Sequence, residues 1–211
     1  MPITVVTQAE AQNLYVPDSL ASIISDVYSL TKRDDLVNET LTAIRAATIK
    51  AHHTGFYPKD LFETGVTFTV PAYVQALEYR ELLPRWRALK YIRKADTVGG
   101  VGSFLELITP TEVLDAHGYT KTDVMYLSGS VIQIKSSTEL GNILLGCYLN
   151  PDVNPGSYNS WVAKDYPFAI IFEAARVIFK TIGYDEQAAS YERFISEQYA
   201  QLASEHSVIG Y

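Results

Sequence analysis

The sequence predicts an α+β chain in which an antiparallel helical bundle, formed by N- and C-terminal helix pairs, carries a central β-rich insertion. Three observations lead there. Apolar residues recur at helical spacing over 18–53 and again over 167–204, and the middle of the chain alternates instead. A stretch rich in Pro, Gly, Asn and Ser separates that middle from the second helical region. On this reading residues 1–16 are an extended arm and 206–211 a tail. Residues 17–205 are a single domain with its insertion at 65–150.

Pro17, Asp18 and Ser19 form a helix start signal, after which Leu20, Ile23, Ile24, Val27 and Leu30 share one face. The Thr31–Lys32–Arg33 link is short enough to make the next helix an antiparallel neighbour. Asp34–Asp35 is the expected cap of that helix, whose apolar side holds Leu36, Val37, Leu41, Ile44 and Ala47. It should end near His53, with Gly55 as terminator before Tyr57–Pro58. The period then changes. Val66, Phe68 and Val70 alternate with threonines ahead of Pro71, as a half-buried strand would. Residues 72–83 fit a helical turn or extended chain equally. Arg87 to Arg93 reads as a strand of weak patterning, with Ala88, Lys90 and Ile92 on the less charged face, and Gly99, Gly100 and Gly102 mark a turn.

Thr109–Pro110–Thr111–Glu112 is a capping box with proline at the first helical position, opening a short helix through Val113 and Leu114. Val124 to Leu127, Val131 to Lys135 and Asn142 to Leu149 are further strands, separated by turns at Ser128–Gly129–Ser130 and around Ser137 to Gly141. Asn150 to Ser160 is a connector. Pro167 then leads a helix with Phe168, Ile171, Phe172, Ala175, Ile178, Phe179 and Ile182 on one broad face, closed by Gly183. Asp185 can cap a last helix carrying Ala188, Tyr191, Ile195, Tyr199 and Leu202. Each stripe is too thin for a core of its own, so the terminal pairs are expected to pack together.

Composition narrows the function classes. With 47% hydrophobic and 19% charged residues the chain is not disordered throughout and can bury a substantial core. Its net charge of −7 argues against non-specific nucleic-acid binding, which needs cations to offset phosphate. DNA can still pass an acidic surface without sticking. Cys147 is the only cysteine, so no intrachain disulfide forms, and its apolar surroundings from Ile143 to Leu149 make it a small buried hydrophobe. No basic segment leads into an apolar core with a cleavage site, and no uninterrupted apolar stretch of about 18 residues exists; secretion and membrane spanning are disfavoured.

Patterns that carry chemistry are sparse. Gly99–Gly100–Val101–Gly102 lacks the lysine and hydroxyl of a phosphate loop, and neither a nucleophile elbow nor a zinc helix is written in the chain. His52 and His53 point about 100° apart on a helix and suit a helix C-terminus; His117 and His206 are isolated. No catalytic, cofactor-binding or metal-binding residues are therefore expected. Two groups are interface candidates. One is the basic run Arg80, Arg85, Arg87, Lys90, Arg93 and Lys94, interrupted by Glu78, Glu81 and Asp96. A solvated strand face explains it as readily as an acidic protein partner. The other is Tyr148, Tyr158, Trp161 and Tyr166 around the connector, which suit either a surface buried on assembly or an ordinary core edge.

From about residue 142 the chain resembles the head–tail adaptor, or connector, proteins of tailed bacteriophages. The resemblance is carried by Leu145, Tyr148 and Pro151, then Ser160–Trp161 and Asp165–Tyr166–Pro167, followed by Ile171, Ala174 and Ala175. Ala188, Ala189, Tyr191 and Tyr199 extend it into the last helix, 18–53 is compatible, and 72–108 fits least. It implies a helical bundle with a β-containing insertion. It also implies a homo-oligomer, a dodecameric ring below the portal protein that joins the capsid vertex to tail or nozzle proteins. DNA would pass through the channel without specific recognition, with no catalytic residues, cofactors or membrane involved. The place so implied is the virion's head–tail junction, after synthesis in the host cytoplasm. Alternatives are a head-closure or tail-completion protein at another level of the virion, and a soluble enzyme of unfamiliar type.

Overall fold

The computed structural model describes residues 19–95 and 101–208 and divides the chain into two compact units. One comprises the chain up to Lys59 together with Pro151 onward; the other is Asp60–Asn150. The expected arm at 1–16 and the Gly99–Gly100 turn lie outside the described residues. In chain order the elements are α1 (Leu20–Thr31), α2 (Val37–His53), β1 (Leu61–Glu78), α3 (Tyr79–Leu82), β2 (Trp86–Ala95), β3 (Val101–Phe104) and β4 (Glu106–Leu107). They continue with β5 (Val124–Ser128), β6 (Val131–Leu149), α4 (Trp161–Asp165), α5 (Pro167–Thr181) and α6 (Asp185–Val208).

In the helical unit, Ser19 caps α1, its Oγ accepting the Ser22 N–H at 3.1 Å. Lys32, in the left-handed region at φ 55°, closes the helix by donating to the Tyr28 carbonyl. Asp34–Asp35 does not cap α2. Its N-cap is Leu36 with no side-chain bond, and Asp35 instead takes a two-pronged pair from Arg33 at 2.7 and 2.8 Å. Central to the unit is α5, packed against α1, α2 and α6. Ile170, Ile171, Ala174 and Ile178 meet Ile23 and Val27 of α1 and Ala43, Ile44, Ala47 and Ala51 of α2 in one core. The alanines let the helix axes approach closely. Gly183, at φ 79°, turns the chain out of α5, and α6 runs to Val208, so the expected tail begins inside a helix.

The β region corrects the predicted fold class. It is no insertion on a helical bundle but a six-stranded mixed sheet with its own core, so the chain is α+β with a large, nearly closed barrel. β6 pairs antiparallel with β2, β2 with β3, β3 runs on into β4, β4 pairs in parallel with β5, and β5 returns to β6. The Leu105 N–H bridges the β3–β4 junction to the Ile92 carbonyl at 2.9 Å. The expected turn at Ser137 to Gly141 is absent, because β6 continues through it for 19 residues. Strand β1 is likewise longer than predicted, passing Pro71 with register shifts between Thr67 and Val74. The capping box at Thr109 is present but opens only a 3-10 turn, Pro110–Glu112.

Two bulges account for the weak patterning of β2. Its register slips between Trp86 and Ala88 and again between Leu89 and Tyr91, each time two residues along β2 against one along β6. Trp86, Leu89 and Ile92, three apart, consequently all pack on the same core. On the other face Tyr91 lies across Gly146. A Cβ at Gly146 would sit 2.5 Å from the Tyr91 ring, which is itself held edge-on to Phe104 at 5.4 Å and under the Arg93 guanidinium. Gly146→Ala is therefore expected to destabilise the β unit by about 1–3 kcal/mol, as overpacking does. The same substitution should cost less in a Tyr91→Ala background, a difference that a double-mutant cycle in urea reads directly.

Candidate functional site

The basic run does not form one face. Arg87 is nearly buried and pairs with the equally buried Asp60 at 3.5 Å. Lys94 pairs with Asp123. Arg93 lies over the rings of Phe104 and Tyr91, 4.5 and 5.0 Å from their centroids. Arg85 is exposed and donates to the Asn150 carbonyl at 3.3 Å. Arg80, Arg85 and Lys90 are the three of the six that are exposed. The other three are engaged within the β unit, and the carboxylate partners of Arg87 and Lys94, Asp60 and Asp123, lie too far away in sequence to be anticipated.

Asp123 is a heavily bonded carboxylate of the β unit. It accepts the Ser137 N–H and hydroxyl at 2.8 Å besides pairing with Lys94, and it holds a left-handed φ of 62°. Burial works against its charge, but these donors outweigh burial and lower its pKa to about 2. The folded value lies below the unfolded one of about 3.9, so the stabilisation is complete above about pH 4 and lost as pH falls toward about 2. Asp123→Asn, which tolerates the same backbone, should lower the urea midpoint at neutral pH. It should also flatten the acid limb relative to wild type.

The four aromatic candidates are built into their units. Tyr148 is buried on β6. The Tyr158 hydroxyl lies 2.8 Å from Thr48 Oγ1, and burial raises its pKa, keeping it a phenol. Trp161 opens α4 behind Ser160, whose Oγ accepts the Ala163 N–H at 3.1 Å and lies 2.9 Å from His52 Nε2. The indole stands edge-on to Tyr57 at 5.1 Å, His52 at 5.5 Å and Tyr166 at 6.4 Å, and Lys59 Nζ lies 4.8 Å over it. His52 is therefore a buried part of this cluster.

The residues that sequence reasoning missed as surface features are others. On the helical unit Phe168 stacks on Phe172 at 5.4 Å, Phe194 lies tilted against Phe172 at 5.7 Å, and Tyr191, Phe179 and Tyr184 continue the ladder. Phe168, Phe194 and Tyr184 are each about half exposed. The broad apolar face of α5 carried that signal, being wider than one helix partner can cover. On the β unit, Val70, Tyr73 and Val74 of β1 are 69%, 55% and 57% exposed.

An open pocket of about 320 Å³ beside Asn38, Glu39, Thr42, Val177 and Thr181 contains a single carboxylate. Cys147 is fully buried, its thiol pushed up to about 11 by burial. Among the described residues no group of three or more His, Cys, Asp or Glu side chains gathers as a metal ion requires, and no helix is long and apolar enough to cross a membrane. No protein-family profile matches the chain, and no curated protein matches it.

Proposed function

We propose that this chain is a structural subunit: a head–tail adaptor that forms a ring below a phage portal and links the capsid vertex to the tail around the DNA channel. The observation that carries this reading is the apolar surface both units leave open, the Phe168–Phe194 ladder on one and Val70, Tyr73 and Val74 on the other. Contiguous exposed apolar groups mark surfaces that another protein covers. The two patches differ from each other, as the two sides of a repeating head-to-tail contact do. Of the residues that carry the resemblance to adaptor proteins, Ile171 and Ala174 lie in the helical core and Trp161 packs against it. A net charge of −7 suits a wall past which DNA slides.

The test is sedimentation and native mass spectrometry of the purified chain, alone and with the portal of its own phage. Ring-sized complexes on the portal are expected, whether or not the free chain is monomeric. A chain that stays monomeric at every concentration and leaves the portal unbound refutes the proposal.

A further inference from the structure

Strand β1 pairs with β6 along one edge only. Its 18 residues follow β6 from Leu61↔Tyr148 to Glu78↔Val131, and among the described residues no strand pairs with its other edge. Pro71 within it fits this position, since a residue lacking an N–H is tolerated on an edge strand. The regular part, Leu61 to Thr67, is followed by Val70, Tyr73 and Val74 in the open. A long strand with no strand paired to one edge is a template for one more strand.

The chain also carries a segment suited to fill it. Ile3, Thr4, Val5, Val6 and Thr7 are five consecutive β-branched residues, and no charge precedes Glu10. Such a run has strong strand propensity and meets no repulsion on β1. Eighteen residues precede the described chain, and in extended form they span about 60 Å, enough to leave the molecule that carries them. We infer that residues 3–7 of a second copy of this chain add as a strand to the open edge of β1. Donor and acceptor are different segments, so the contact is heterologous and repeats from copy to copy. This deepens the ring reading and rests on it.

The test places cysteines at Val5→Cys and Gly65→Cys in the full chain. A Cβ at Gly65 meets nothing within 4 Å, and the native Cys147 is buried, so the added thiols report cleanly. With a short bis-maleimide, a ladder of covalent oligomers extending beyond the dimer is expected, and neither single variant should give more than a dimer. Links confined within one chain, or none above the wild-type background, overturn the inference. If portal complexes still form at wild-type yield without the ladder, strand donation fails and the adaptor reading stands. If portal binding is absent as well, both fail.

Discussion

Trp161→Ala lowers the stability of the helical unit by about 3 kcal/mol, the low end of the range for deleting a core aromatic, because the indole is half-buried. The loss comes from several contacts at once. The ring packs edge-on against Tyr57, His52 and Tyr166 and carries the Lys59 ammonium on its face. It also sits at the start of α4, immediately after the Ser160 cap that ties this helix to His52. Urea unfolding followed by the helical circular-dichroism signal measures the effect. Phe168→Ala and Phe194→Ala, which remove half-exposed rings, should cost about 1 kcal/mol or less by the same measurement. Any loss of assembly in those two variants therefore reports on the surface, whereas a loss in Trp161→Ala reports on the fold. A drop of less than about 1 kcal/mol for Trp161→Ala would contradict its placement in the core.

Glu173→Ala should be comparably severe, at about 3–5 kcal/mol, the usual cost of breaking a buried ion pair from one side. Only 3% of the Glu173 side chain is exposed, and it takes charge-assisted hydrogen bonds from Arg176 at 2.6 Å and Lys50 at 2.8 Å. Lys50 can turn to water when the carboxylate is gone. Arg176, far less exposed, loses the carboxylate one turn before it on α5. Burial opposes the charge of Glu173, but the two cations outweigh it and hold the pKa below the ordinary glutamate range. Its contribution is thus present at neutral pH and fades as the medium becomes acidic. Glu173→Gln, which keeps the shape and some hydrogen bonding, should lose less at neutral pH and show a shallower acid limb. Equal stability of wild type and Glu173→Ala at neutral pH would count against this triad.

The helices were legible because their apolar spacing repeats over many turns and their ends carry ordinary signals, Ser19 before α1 and Pro167 and Gly183 around α5. The β unit was not, for local reasons. Two bulges in β2 bring every third residue, Trp86, Leu89 and Ile92, to the core, so a period of two cannot find them. The stretch from Ser137 to Gly141 reads as a turn, yet it is strand, and the Ser137 hydroxyl holds Asp123. Pro71 reads as a strand end, yet it sits in an edge strand. Of the candidate site, the residue types were visible and their roles were not. Arg87, Lys94 and Trp161 look like surface groups until Asp60, Asp123 and the Tyr57–His52 pair are brought to them by folding.

The ring proposal meets its most direct test in a three-dimensional image of the native phage particle in which this chain is located by a label at Gly156, an exposed glycine of the connector with open space around it. The prediction is a closed ring of labels between portal and tail, coaxial with the DNA channel. Labels absent from the particle, or scattered over the capsid away from that vertex, would contradict it.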